Sequence, residues 1–117
     1  MSITWSDRPI IAAGNPLPTI VSKYVTHTGT ETWKAGRVLE EGSTADELIE
    51  WVGTGAPSAV LLDEATVGAS AVLCRVVIKG FLNPNFISVT GDTTRPTVAQ
   101  INLMTLEGLV VNGSMTA

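Results

Sequence analysis

The chain has 117 residues, of which 44% are hydrophobic and only 15% are charged, and its formal net charge is −4. This length suits one domain with a modest core, and the charged fraction lies well below the usual ~25%. The seven basic residues are scattered with no two adjacent, which argues against nucleic acid as a partner because phosphate binding needs clustered Lys and Arg. A surface with so few charges keeps apolar area that self-association would cover, so we predict an oligomer.

Targeting and redox signals are sparse. Residues 1–9 lack the basic head and apolar stretch of a signal peptide, and no apolar run has the length of a membrane span. The single cysteine, Cys74, excludes an internal disulfide and a multi-cysteine metal site. We therefore expect a protein that is made and folded in a reducing cytoplasm.

The first thirty residues differ from the rest of the chain. Pro9, Pro16 and Pro18 interrupt short apolar stretches, and proline removes a backbone donor and holds its predecessor in extended shapes. We predict an extended N-terminal arm over residues 1–30 and a compact domain over residues 31–117. The alternative is that the β-prone residues 20–25 form the first strand of the domain itself.

From residue 33 onward, short apolar runs alternate with turn signals, which is typical of a mostly β fold built from short strands. We predict strands over residues 33–39, 48–52, 59–62, 71–78 with a continuation at 81–82, and 109–111, a loop over residues 63–70 and a turn at residues 83–85. Residues 59–62 are all apolar, so the strand there is expected to be buried on both faces.

One short C-terminal helix is predicted, near residues 98–107. Thr94 or Thr97 can cap its start, Pro96 is tolerated in the first turn, and Gly108 stands where a helix end favours left-handed backbone. The two candidate stripes for its buried side are Val98, Ile101 and Thr105, or Ala99, Leu103 and Leu106. The tail, residues 112–117, is predicted to fray.

Residues suited to catalysis are few and poorly placed. His27, the only histidine, lies in a threonine-rich polar stretch, so we predict a solvated surface residue rather than a partner for a nucleophile. Cys74 lies in an apolar run and is predicted to be a buried structural thiol. The pairs Glu40-Glu41 and Asp63-Glu64 follow strands and precede turns, which indicates solvated loop charges. We predict no catalytic, cofactor-binding or metal-binding residues and no enzyme activity.

The three tryptophans fall into two groups. Trp33 and Trp51 lie in the predicted compact domain and are expected in the core or an interface, because tryptophan buries a large area. Trp5 lies in a polar terminal segment with no local core. Trp5 is therefore either an anchor onto a partner or part of an unattached chain end.

Four segments of the chain carry a family resemblance. They are KAGRVL at residues 34–39, AVLLDE at 59–64, AVLCRVVIKGFLN at 71–83 and LMTLEGLVV at 103–111. In this order and spacing they resemble the head decoration protein D family of tailed phages. The chain departs from that family in having no glycine near Ala59, a longer arm, and a stretch at residues 86–92 without a counterpart.

The resemblance implies a β-clip-like domain that forms a homotrimer. Such a trimer would sit on the outer surface of the capsid at threefold or quasi-threefold positions and stabilise the expanded, DNA-filled head of the virion. The arm would contact the major capsid protein, and its apolar residues Ile3, Trp5, Ile10 and Ile11 are the candidate contacts. The resemblance implies no cofactor, membrane, nucleic-acid or small-molecule partner.

Two other functions fit parts of the sequence. A small trimeric β enzyme, such as a nucleotide hydrolase related to the dUTPases, would need a pocket tyrosine, and the only tyrosine, Tyr24, falls outside the predicted compact domain. Another virion module, from a tail or a fibre, agrees with the composition equally well. Only the order of the four segments argues against it.

Overall fold

A computed structural model describes residues 18–44 and 46–111. The predicted fold class is confirmed, since the described chain is mostly strand with one helix. The elements are β1 Thr19–Val25, β2 Glu31–Trp33, β3 Val38–Glu41, β4 Glu47–Glu50, β5 Ala59–Leu61, β6 Ala65–Val67, β7 Val72–Leu82, α1 Val98–Leu106 and β8 Leu109–Val111, with a short 3-10 turn at Pro84–Phe86. Among these residues no helix is long and apolar enough to cross a membrane.

Five of the strands close into a ring. Going round it, β1 pairs with β4, β4 with β3, β3 with β5, β5 with β7, and β7 returns to β1. All of these contacts are antiparallel except the short parallel contact of β1 with β4. Strand β8 runs parallel to the last three residues of β7, and β2 and β6 form a separate antiparallel pair.

Strand β1 corrects the boundary of the predicted arm. Every residue of β1 pairs with β7, from Thr19 opposite Lys79 to Val25 opposite Val72, with a register shift after Thr19. The prediction of an arm over residues 1–30 is therefore wrong from Thr19 onward, and the alternative of a first strand at residues 20–25 is correct. The physical reason is that the long β7 needs a hydrogen-bonding neighbour on that side from Val72 to Lys79, and β1 supplies it. Residues 1–17 lie outside the described part of the chain.

Alternation along the strands divides the buried side chains between two cores. The neighbours Val38 and Leu39 on β3 point to opposite sides of the sheet, as do Val76 and Val77 on β7, because successive side chains in a strand alternate. The inner core, inside the ring, contains Val25, Trp33, Leu39, Leu48, Ala59, Leu61, Val67, Cys74 and Val76. The outer core, between the ring and α1, contains Val38, Trp51, Val60, Leu62, Val77, Leu82, Ile87, Val89, Met104, Leu109 and Val111. The all-apolar run at residues 59–62 is buried on both faces, as predicted.

One strand prediction and one loop prediction are wrong. The predicted strand over residues 33–39 is two strands, because Gly36 adopts a positive φ of 104° that turns the chain between Trp33 and Val38. The predicted loop over residues 63–70 contains β6, which pairs with β2 through Trp33 opposite Ala65. A strand of three residues is too short to show a period in the sequence.

The helix has the predicted ends but a different buried side. The hydroxyl of Thr97 accepts from the Gln100 amide at 3.2 Å, while the Thr97 amide donates to the Gln100 side chain at 2.9 Å, which forms a capping box. Gly108 follows the helix at a φ of 87°. Neither predicted stripe is the buried one. The side facing the outer core consists of Met104 with the half-buried Ile101 and Leu103.

We expect Gly108→Ala to destabilise the fold by about 1 to 2 kcal/mol, because a side chain at positive φ meets steric repulsion from its own backbone. The matched control is Gly29→Ala, where a Cβ meets nothing within 4 Å and the change should stay within ~0.5 kcal/mol. Urea unfolding measures both. Equal midpoints for the two variants would contradict the left-handed helix end.

Candidate functional site

The four predicted contact residues, Ile3, Trp5, Ile10 and Ile11, lie outside the described residues. The structure does define where the segment that carries them joins the domain. Pro18 packs against Gly80, whose ideal Cβ would come within 3.0 Å of the Pro18 Cα. The Gly80 amide in turn donates to the carbonyl of Gly108 at 3.0 Å. Residues 1–17 therefore join the domain where β7, β8 and the end of α1 meet.

The largest polar feature of the described chain is a buried arginine, which the sequence predictions missed. Arg37 is only 4% exposed and lies over the ring of Trp33, with its guanidinium carbon 4.8 Å from the ring centroid. Its two terminal nitrogens donate to Glu50 and, at 3.0 Å, to Asp92. The side chain joins β4 and the loop after β7 to the start of β3. The only signal in the sequence is one arginine within an otherwise apolar and glycine run, residues 35–39.

A second set of contacts adjoins Arg37 at the same end of the five-stranded ring. The Trp33 indole donates to Glu31 at 2.8 Å. His27 packs edge-on against Trp33 with centroids 5.0 Å apart and lies 3.5 Å from the same carboxylate. The prediction of a solvated His27 is wrong, because its side chain is about four-fifths buried and packs against Trp33. These contacts stabilise one end of the five-stranded ring.

Two carboxylates of this cluster have shifted pKa values. Burial works against the charged form of Asp92, but hydrogen bonds from Arg37 and from the Lys34 amide outweigh it, so the pKa of Asp92 lies below its ordinary value of 3.8. The indole hydrogen bond from Trp33 lowers the pKa of Glu31 below 4.5, with a smaller contribution from His27. Both carboxylates are therefore held in their charged form by the fold.

Cys74 is a buried thiol, as predicted. It is 7% exposed within the inner core. Burial, with a smaller contribution from the charge of Asp63, raises the pKa of the thiol above its ordinary value. A raised pKa disfavours the thiolate, which is the reactive form of cysteine.

The adjacent carboxylates predicted to be solvated are close to the surface. Asp63 makes a two-point ion pair with Arg75 at 2.7 and 3.0 Å, and both side chains are nearly half exposed. Glu41 and Glu64 are exposed and Glu40 is half-buried. In residues 18–44 and 46–111, no group of three or more His, Cys, Asp or Glu side chains is placed to hold a metal ion.

A cleft of about 650 Å³ opens at one end of the ring. Leu48, Ala59 and Ile78 contribute apolar surface to it. The remaining lining is Lys23, Glu41, Gly42, Ser43, Thr44, Asp46, Glu47, Ser58 and Glu107. Carboxylates outnumber the one lysine, so the cleft favours cationic over anionic groups.

Two uncharged surfaces are exposed on different elements. The first, the sheet face, is the outer side of β1, β4 and the start of β7. It consists of Ile20, Tyr24, Ile49 and Leu73, exposed by 40, 49, 36 and 58%. Tyr24 lies directly opposite Leu73 in the β1–β7 pairing, so these side chains share one side of the sheet.

The second surface, the helix face, is the outer side of α1. It consists of Val98, Ala99, Asn102, Thr105 and Leu106, all exposed, and Val98 and Leu106 are 77 and 79% exposed. Val98–Leu106 contains no charged residue. The face therefore presents two largely exposed aliphatic side chains with no charge between them, and exposed apolar surface of this kind can mark an interaction site.

Comparison with family models, with curated proteins and with solved structures finds no match for this chain. The resemblance to the decoration proteins therefore stays a prediction from the four segments.

Arg37→Met should lower the free energy of unfolding by about 3 kcal/mol, because it leaves the charges of Glu50 and Asp92 without their partner. The matched control is Arg75→Met, which removes an arginine from an exposed pair and should cost less than ~1 kcal/mol. Urea unfolding compares the two. Equal losses would mean that the buried cluster adds nothing beyond a surface ion pair.

The shifted pKa of Asp92 predicts a pH dependence. A carboxyl whose pKa is lowered by folding contributes stability above its ordinary value of 3.8, and that stability is lost as the pH falls through the folded value. Between pH 6 and pH 3, the urea midpoint of the wild-type chain should fall more steeply than that of Asp92→Asn, which has no such proton to bind. Parallel curves would contradict the assignment.

Proposed function

We propose that the chain is a structural virion protein, a decoration protein that binds the outside of a tailed-phage capsid as a homotrimer at threefold or quasi-threefold positions. Its role is to hold neighbouring capsid subunits together in the expanded, DNA-filled head. The observation that carries the proposal is that the five-stranded ring is complete from Thr19 onward. The strand pairings of the ring begin at Thr19, and the proposed contacts with the major capsid protein are the apolar residues Ile3, Trp5, Ile10 and Ile11 of the preceding segment.

The length of the N-terminal segment supports this role. Seventeen residues precede Pro18, and an extended chain spans up to ~3.5 Å per residue, or roughly 60 Å in all. That reach exceeds the largest dimension of the domain, 38 Å. An arm fixed at Pro18 can therefore contact a capsid subunit beyond the footprint of its own domain.

The mode of binding follows from backbone chemistry. An extended segment can add itself to the edge of a sheet on the capsid protein and gain main-chain hydrogen bonds without a preformed pocket. In a trimer, binding of one arm raises the effective concentration of the other two. Three weak contacts then suffice to clamp the shell, and no catalytic step is involved.

Removing residues 2–17 should leave the fold intact, because every described strand begins later, and should reduce binding to undecorated expanded heads by at least 100-fold. Trp5→Ala alone should weaken binding by about 1 to 2 kcal/mol if its ring is an anchor. Circular dichroism checks the fold, and cosedimentation with heads measures the binding.

The control truncation removes residues 2–25 and with them β1. It should fail to fold, because the ring is opened at β7. If the chain that lacks residues 2–17 decorates heads as well as the full chain, the arm is not the clamp. If the full chain cosediments with tails and not with heads, the protein is the tail or fibre module instead.

A further inference from the structure

The sheet face and the helix face lie on different sides of the described domain. The helix covers the outer core above β3, β5 and β7, where Met104 packs with Val38 and Val77. No element of the described residues covers the outer side of β1 and β4, and Tyr24 and Ile49 are exposed there. One chain thus presents two unlike uncharged surfaces rather than one.

The charges beside the two faces are opposite. Glu47 lies opposite Tyr24, and Glu40 lies opposite Ile49, so both carboxylates border the sheet face. Within residues 18–44 and 46–111, neither has an ion-pair partner. The nearby Arg75 is already paired with Asp63 and adds no net charge.

The helix face has a cation at each end. The guanidinium of Arg95 donates to the carbonyls of Ile87 and Asp92, at 2.7 and 3.2 Å, and it has no carboxylate partner in the described part of the chain. Lys79 is exposed and its aliphatic chain lies beside Gly108, at the other end of the helix. Glu107 follows the helix and offsets one of these charges. Among the groups without an ion-pair partner in the described residues, two cations and one carboxylate border the helix face and two carboxylates border the sheet face.

The symmetry of a trimer requires two different surfaces on each chain, and these two faces can supply them. In an isologous contact a surface meets a copy of itself, whereas a closed ring of three needs a heterologous contact in which one surface meets a different one. We propose that the helix face of each chain docks onto the sheet face of the next copy, and that the third copy closes the trimer. This inference rests on the trimer of the proposed function. Leu106 and Val98 are then covered by Tyr24, Leu73 and their neighbours, and the cations at the helix ends approach Glu40 and Glu47.

A mixing experiment on the full-length chain tests this arrangement. Leu106→Glu places a charge in the helix face, and Leu73→Glu places one in the sheet face; both positions are more than half exposed, so the fold should persist. Thr28→Glu, in the exposed bend between β1 and β2, adds the same charge outside both faces. Light scattering and sedimentation then report the mass of each chain alone and of equimolar mixtures, and circular dichroism verifies that each is folded.

The expected masses are specific to the head-to-tail contact. The wild-type chain and Thr28→Glu should each give three times the monomer mass of 12.3 kDa, and each face variant alone should give a monomer. A mixture of the two face variants should give a dimer, because the intact sheet face of one chain can bind the intact helix face of the other. Neither variant can extend that dimer further.

Other results overturn the inference. Face variants that remain trimeric, or a mixture that stays monomeric, would show that these faces do not bind each other. So would a wild-type chain that is monomeric at every accessible concentration. Decoration of heads separates this failure from failure of the proposed function. Variants that stay trimeric but no longer bind heads would place the faces against the capsid, and the decoration role would stand.

Discussion

Strand β7 bonds to three other strands of the described chain. The stretch from Val72 to Lys79 pairs with β1, the residues Val76 and Val77 within it also pair with β5, and the last three residues pair with β8. Because side chains alternate along it, Val76 enters the inner core and Val77 the outer core. The whole fold depends on this strand being apolar on both sides in its middle, since the ring and the helical layer each use one of its faces.

The ring has a hydrophobic interior but a polar brace at one end. Arg37 is buried there with two carboxylate partners and an aromatic ring, while its Nε has no hydrogen-bond partner among the described residues. A buried ion pair gains little over well-packed apolar groups of the same size. Its value here is geometric. A guanidinium with directed hydrogen bonds joins three separate segments in one register, which an aliphatic side chain cannot do.

The outer surface divides in a way that fits an assembly component. The inner and outer cores are complete within the described chain, yet uncharged side chains remain exposed on β1, β4, β7 and α1. A monomer of this size gains nothing by exposing Leu106 and Leu73, because each raises the risk of unspecific association. Under the proposed function, these surfaces would contact copies of the chain, and the segment that joins the domain at Pro18 would contact the capsid.

Local features were determined by the sequence itself. Thr97, Gln100 and Gly108 specify the ends of the helix through contacts within a few residues, and the apolar run at 59–62 identifies a strand buried on both sides. The burial of Cys74 follows from the apolar run around it, and that of Trp33 and Trp51 from the large area of the indole side chain. Such features are readable because the interacting groups are close together in the chain.

Only the tertiary structure decided the rest. Residues 19–25 became a strand because β7, some fifty residues later, offers a free edge, and β2 and β6 exist only through each other. The buried position of Arg37 depends on Glu50 and Asp92, which lie 13 and 55 residues away. The sheet face likewise exists only after β1, β4 and β7 are brought side by side. Long-range pairing leaves no period or motif in the sequence, since each partner alone is an ordinary short β-prone stretch.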